Sequence, residues 1–129
     1  MGMLEAELNV HRQCVGISMS VKATLKGVGM SRKRLQFAVD IVRGKKVQDA
    51  LDILRFQPGP AAEYVAKVLR SAAANAENNA QLNASKLRVT RSSADQGPVL
   101  RRWKAKARGR VGRIRRPTSL IIIEVDEGI

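Results

Sequence analysis

Between Gln96 and Ile123 the chain carries nine cations and no carboxylate. The nine are Arg101, Arg102, Lys104, Lys106, Arg108, Arg110, Arg113, Arg115 and Arg116. Such a segment repels itself and has too little apolar surface to build a core of its own, so its shape must come from what flanks it. The flanks are apolar. Leu87-Arg88-Val89-Thr90 alternates like a strand, and Leu120-Ile121-Ile122-Ile123 with Val125 is greasy enough to be buried on both faces of a sheet. Apolar content falls from both flanks toward Lys106, the midpoint. A long antiparallel hairpin over about 87–125 accounts for this gradient. Its base packs on the rest of the protein and its tip extends away. Arms of about thirteen residues at about 3.3 Å each would reach on the order of 40 Å. Pro98 and Pro117 cannot donate to a ladder, so bulges or edge positions are expected there. Gly109 and Gly112 would let backbone approach backbone.

The rest of the chain supplies a body for that base. Val21–Met30 alternates weakly and reads as a short strand, with Gly27 and Gly29 permitting close approach by another backbone. Ser31 can cap a helix, after which Leu35, Ala38, Val39 and Val42 recur at helical spacing up to a stop at Gly44. Val47, Ala50, Leu51 and Leu54 form a second stripe, closed by the turn Gln57-Pro58-Gly59-Pro60. A longer third helix places Ala61, Tyr64, Val65, Val68, Leu69, Ala72, Ala73 and Ala76 on one face and is expected to end near Asn78 and Asn79. The expected fold is α+β: three helices packed on a small antiparallel sheet, with a long protruding β-hairpin. Residues 21–129 form one globular domain that includes the hairpin. Residues 1–20, which show no clear period, read as a flexible extension.

Composition narrows the partner. The 129 residues carry a formal net charge of +13, which points to a phosphate-rich partner. A single cysteine, Cys14, excludes an internal disulfide framework and fits a reducing compartment. No run approaches the eighteen or so apolar residues of a membrane span, and Glu5, Glu7 and Arg12 do not make a secretory or transit signal. His11 and Cys14 are two potential ligands where a zinc site needs about four. No histidine stands beside Cys14 to support a nucleophile, no glycine-rich loop precedes Lys-Ser or Lys-Thr, and Glu63 and Glu77 read as surface carboxylates. The expectation is a protein without enzymatic activity, metal, cofactor or small-molecule substrate.

Each basic feature has two readings. The run from Arg101 to Arg116 is either a solvated linker or a finger that enters nucleic acid. Its tethered ends, and seven arginines to two lysines, favour the finger, because arginine suits phosphate forks and base stacking. Trp103 either stacks on a base or makes a local hydrophobic contact within the hairpin. Arg32, Lys33 and Arg34 sit at a helix start, where the dipole disfavours cations, which favours phosphate contact over a merely solvated turn. Arg43, Lys45 and Lys46 stand at a helix end, where cations are welcome anyway. An architectural DNA-binding protein with basic β-arms is the rival, but it needs an apolar dimer surface that the helices do not show. A membrane-surface peptide would need a basic amphipathic helix, which the glycines and prolines near the tip oppose.

Ser31-Arg-Lys-Arg-Leu, Val39-Asp-Ile-Val-Arg-Gly-Lys45, Ala50-Leu-Asp-Ile-Leu-Arg-Phe56, Val68-Leu-Arg-Ser-Ala-Ala-Ala-Asn-Ala-Glu77, Gly97-Pro98, Arg108-Gly-Arg110 and Arg116-Pro-Thr-Ser119 occur in this order. The ordered set, spanning Val21 to Val125, resembles the bacterial-type large-subunit ribosomal protein L-twenty-two family. That resemblance implies a body on the ribosome surface and a hairpin threaded through 23S-type rRNA, with a tip lining the nascent-peptide exit tunnel. It also implies a part in subunit assembly. The implied partners are the rRNA, neighbouring ribosomal proteins and the nascent polypeptide, with no membrane. The implied place is the large subunit of a cytoplasmic ribosome, or of an organellar one. Carried over by position, rRNA contacts fall on Arg32, Lys33, Arg34, Arg43, Lys45 and Lys46, and on Asn75, Asn78 and Asn79 of the long helix. In the hairpin they fall on Arg101, Arg102, Trp103, Lys104, Lys106, Arg108, Gly109, Arg110, Arg113, Arg115 and Arg116. The tunnel tip is Arg102, Trp103, Lys104, Ala105, Lys106, Ala107 and Arg108. The chain departs from the family pattern at Arg32, Gly27 and Gly29, lacks the usual proline near Ala105, and has no recognised counterpart for Met1–Met19.

Overall fold

Residues 19–128 are described by a computed structural model of the chain. In chain order they form β1 (Val21–Val28), α1 (Arg32–Val42), α2 (Val47–Phe56), α3 (Pro60–Ala80), a 3-10 turn (Ala84–Lys86), β2 (Leu87–Ala105) and β3 (Val111–Glu127). The three strands make one antiparallel sheet in the order β1-β3-β2. The fold is the expected α+β arrangement with its long hairpin. The extension expected over 1–20, with His11 and Cys14, lies almost wholly outside the described residues.

The strand order follows from apolarity. The central position takes the strand with most to hide, and Ile121, Ile123 and Val125 of β3 are fully buried. Burial alternates along β3, however, and Leu120 and Ile122 are only half-buried. The sequence-based expectation of burial on both faces is therefore corrected. The inward residues Ala23, Val89, Ser92 and Ala94 share the face of Ile121 and Ile123, and that is the face the helices cover. α1 lies over β2, and α3 lies over β1 and β3. The core joins Leu35, Val39 and Val42 of α1 and Ala50 and Leu54 of α2 to Val65, Leu69, Ala72 and Ala76 of α3. Alanine at four buried positions of α3 removes bulk and allows a close seat. Phe37 and Phe56 stand exposed on α1 and α2, so the helices do carry outward aromatics, one on each.

The helix ends differ in detail from the sequence reading. Ser31 occupies the N-cap position of α1, but its side chain makes no capping hydrogen bond. Gly44 (φ +77°) does more than stop α1. Its N–H donates to the Val89 carbonyl, and the Val89 N–H donates to the Lys45 carbonyl, both at 3.0 Å. That segment covers part of the free edge of β2, which would otherwise invite pairing with another chain. Asn78 and Asn79 do not end α3. The helix runs to Ala80 and closes through Gln81, which takes the left-handed conformation (φ 53°) and donates its N–H to the Ala76 carbonyl. Nothing in an asparagine side chain compels a stop, and the left-handed residue came from a position without a glycine signal.

Three bulges shape the sheet. β1 gains a residue on β3 between Leu25 and Val28, and β2 gains one between Val89 and Arg91 and another between Gln96 and Val99. Gly27 belongs to the first (φ +75°), and no atom approaches where its Cβ would be. Its role is conformational, so the expected close approach at Gly27 and Gly29 is also corrected. The third bulge contains Pro98, and Pro117 pairs with Val99, as the missing donors require. There the Thr118 hydroxyl donates to the Pro98 carbonyl. A Cβ on Gly97 would meet that hydroxyl oxygen at 2.8 Å and the Thr118 carbonyl oxygen at 3.3 Å, so this glycine does serve a close approach.

Candidate nucleic-acid interface

β1 ends at Val28, opposite Ser119, so beyond this level β2 and β3 continue as a two-stranded arm. The ladder pairs Leu100 with Arg116, Arg101 with Arg115, Arg102 with Ile114, Trp103 with Arg113, Lys104 with Gly112 and Ala105 with Val111. Because side chains alternate, the arm has two faces. One carries Arg101, Trp103, Arg113 and Arg115. The other carries Leu100, Arg102, Lys104, Ile114 and Arg116. The chain reverses at Ala107–Gly109, just past the expected midpoint, with Arg108 (φ 56°) and Gly109 (φ 69°) both left-handed. The Arg110 N–H donates to the Ala107 carbonyl and the Lys106 N–H to the Arg110 carbonyl. Two successive positive φ values suit the twist of a hairpin, but arginine adopts them at a cost that glycine avoids.

All nine cations of the arm are exposed, and among the described residues none has a carboxylate partner. Arg101 and Arg115 are directly opposite on one face, a like-charge pairing that opposes the ladder. Lys106 folds its aliphatic stem over Gly112, where a Cβ would collide with it. The close approach predicted for Gly112 is thus to a side chain, while Gly109 supplies positive φ. Trp103 is 63% exposed, with the Arg113 guanidinium 5.3 Å from its ring centroid. Its local partner is thus a cation and not the hydrophobic contact considered from the sequence, and most of its surface stays free.

The start of α1 abuts the root of this arm. Ser119 donates its hydroxyl to the Met30 carbonyl, which fixes the approach. Arg32, Lys33 and Arg34 are exposed, and the first turn of α1 holds no carboxylate. Arg32 and Lys33 line a cleft with Gln96 and Pro117, and Arg34 lines the next with Leu100 and Arg116. The α1 start and the arm are therefore one basic surface, although some seventy residues separate them in sequence.

The remaining predicted residues lie elsewhere. α1 runs away from the arm, and its eleven residues carry the chain about 16 Å. At its far end Arg43 donates to the Ser92 carbonyl at 2.8 Å and pairs with Asp40 at 3.2 Å, so its guanidinium is engaged within the body. Lys45 and Lys46 are exposed and have no carboxylate partner among the described residues. Lys46 bridges to Arg88 and lines a groove with Ser85, Lys86, Arg88 and Glu127. The sequence reading passed over Lys86 and Arg88. Their alternation about buried Leu87 at the start of a strand was the available signal. Asn75 is half-buried and Asn78 and Asn79 are exposed on the last turns of α3, the helix end that meets the 3-10 turn. Thus the structure joins Arg32–Arg34 with the hairpin and sets the other candidates at the opposite end of the body. Among the described residues carboxylates pair within the body: Asp40 with Arg43, Asp52 with Arg55 and Glu63 with Lys67 on helix surfaces, and Glu127 with Lys86 at 3.8 Å beside the groove. Among the described residues no cluster could hold a metal, and no helix is long and apolar enough to cross a membrane.

The profile of the family described as ribosomal protein L22p/L17e matches residues 23–126. Among characterised proteins, the large ribosomal subunit protein uL22 of Dehalococcoides mccartyi is 46% identical over 107 residues, covering 83% of this chain and 98% of its own. The proteins of the same name from Syntrophotalea carbinolica and Thermomicrobium roseum are 47% and 44% identical over 109 residues. Each covers 84% of this chain, with 99% and 92% of its own length. The matched span contains all three helices, all but the outermost residues of the sheet and the entire basic arm, and on these grounds the chain belongs to the ribosomal protein L22p/L17e family.

Proposed function

We propose that the chain is a structural rRNA-binding constituent of the large ribosomal subunit in the cytoplasm. On this reading the arm threads between segments of 23S-type rRNA and the body docks through Arg32, Lys33 and Arg34 at its root. One observation carries the reading: nine exposed cations, unpaired with any carboxylate of the described chain, stand on a two-stranded arm that leaves the body. Phosphate oxygens would relieve the repulsion between Arg101 and Arg115 and give each guanidinium a fork to bind. Family membership and the names of the relatives support the ribosomal setting, a structural rather than enzymatic role, and partnership with neighbouring ribosomal proteins.

Residues 102–108 at the end of the arm form the part of the proposed site that lines the exit tunnel beside the nascent polypeptide, with assembly of the subunit drawing on the same contacts. Lys45, Lys46, Asn75, Asn78 and Asn79 would form a second rRNA contact at the far end of the body, joined by Lys86 and Arg88. Arg43 contributes there by holding Ser92. The domain of residues 21–129 acts as a unit, body and arm together.

Sedimentation tests the proposal. The tagged chain should travel with large subunits through a high-salt wash, and loss of the chain from that fraction would overturn it. Direct titration adds the physical signature. If six to ten cations meet phosphates, affinity for folded rRNA falls roughly 10³- to 10⁵-fold between 50 and 200 mM salt. Tighter binding to duplex DNA than to folded rRNA at fixed salt would favour the DNA-architectural alternative instead.

A further inference from the structure

We infer that Trp103 receives an unpaired nucleobase, so that the arm reads single-stranded RNA on one face and phosphates alone on the other. The inference rests on the rRNA-binding reading and goes beyond it by assigning the two faces different ligands. Cross-strand register puts Trp103 opposite Arg113 and Arg101 opposite Arg115, all four on the same face. The Arg113 guanidinium covers one side of the indole at 5.3 Å, yet the residue stays 63% exposed. Trp103 also lines a pocket together with Arg101, Arg102, Arg113, Ile114 and Arg115. A base entering there would complete a guanidinium–indole–base stack, with its flanking phosphates within the field of Arg101 and Arg115. The opposite face, with Arg102, Lys104 and Arg116 beside Leu100 and Ile114, offers charge without an aromatic platform.

The geometry selects an unpaired base. In an A-form duplex each base is already stacked and its deep groove is too narrow for an indole, whereas a looped or bulged base presents a free face. A purely local role for Trp103 would be met by any apolar side chain that shields Arg113's stem. A stacking role demands a ring.

Trp103 is the only tryptophan in the chain, so intrinsic emission reports on this site alone. The wild-type chain is titrated with a single-stranded RNA oligonucleotide and with a fully paired RNA duplex of equal length. Binding is followed separately by anisotropy of the labelled RNA. The single strand should quench the emission and the duplex should bind without quenching it. Trp103→Leu should weaken single-strand binding roughly 5- to 150-fold and leave duplex binding unchanged, while Trp103→Phe should retain most of the affinity. Quenching equal for both RNAs, unchanged emission on a bound single strand, or wild-type affinity in Trp103→Leu would each overturn the inference. A stronger response to an acidic peptide than to RNA would also overturn it, by reassigning the face to polypeptide. Absence of binding by either RNA would instead bring down the rRNA-binding reading, and this one with it.

Discussion

In the body, β3 has a strand on each side and helices over one face; beyond Thr118 the same strand has one neighbour and no cover. The two halves of this strand share a backbone and almost nothing else. Ile121, Ile123 and Val125 are fully buried, and burial of a side chain of this kind contributes about 1.5–3 kcal/mol. Arg113, Arg115 and Arg116 are exposed and face other cations or apolar residues across the ladder. An isolated two-stranded ribbon is marginal in water, and this one carries uncompensated charge as well. The contrast teaches that one secondary structure can be held by two different agents. The body is stabilised by apolar area that the chain itself supplies. The arm is anchored through the body at one end, and on the proposed reading a polyanion along its length holds the rest.

The largest effect that sharpens this contrast comes from the core. Leu69 of α3 is fully buried, so Leu69→Ala should destabilise the protein by about 2–5 kcal/mol in denaturant unfolding. The salt slope of RNA binding by the folded fraction should not change. Neutralising Lys104, Lys106, Arg108 and Arg110 together to Gln should do the reverse. The salt slope should shrink by roughly three, at about 0.7–0.9 per lost phosphate contact, with the unfolding midpoint unmoved. A large fall in the midpoint would show that the arm helps to hold the body.

Gly97 sits where the two regimes meet. Gly97→Ala forces a Cβ against Thr118 and should cost about 1–3 kcal/mol of stability or shift the ladder beyond the Gln96–Val99 bulge, visible as altered amide shifts from Val99 onward. The smallest expected effect is the most diagnostic of repulsion. Arg101→Glu turns the Arg101–Arg115 clash into an attractive pair and should slow exchange of neighbouring arm amides up to about fivefold in the free protein, while weakening RNA binding.

Much of this division is legible in the sequence because it is written in residue type. Nine cations without a carboxylate from Gln96 to Ile123, in a segment flanked by the apolar Leu87–Thr90 and Leu120–Ile123, can be accommodated by few arrangements other than a tethered protrusion. Helical spacing located α1, α2 and α3, since each buries a single stripe. What escaped is relational. That β1 joins β3 and not β2 depends on competition for the central position. That Leu120 and Ile122 are half-exposed depends on all the helices covering the same face. The end of α3 rests on a left-handed Gln81, which no composition rule announces. Within the candidate site, the charges of Arg32–Arg34 and of the arm were visible, but their union at one root needed the Ser119–Met30 contact. The engagement of Arg43 by Ser92, forty-nine positions away, left no local trace.

Hydrogen exchange on the wild-type chain, free and bound to folded large-subunit rRNA, tests the central claim most directly. In the free protein, amides of Leu35–Val42 and Ile121–Val125 should be strongly protected and those of Lys104–Arg110 should exchange rapidly. On binding, the arm amides should become protected while the body changes little. Strong protection of Lys104–Arg110 without RNA, or rapid exchange there in the complex, would contradict the account.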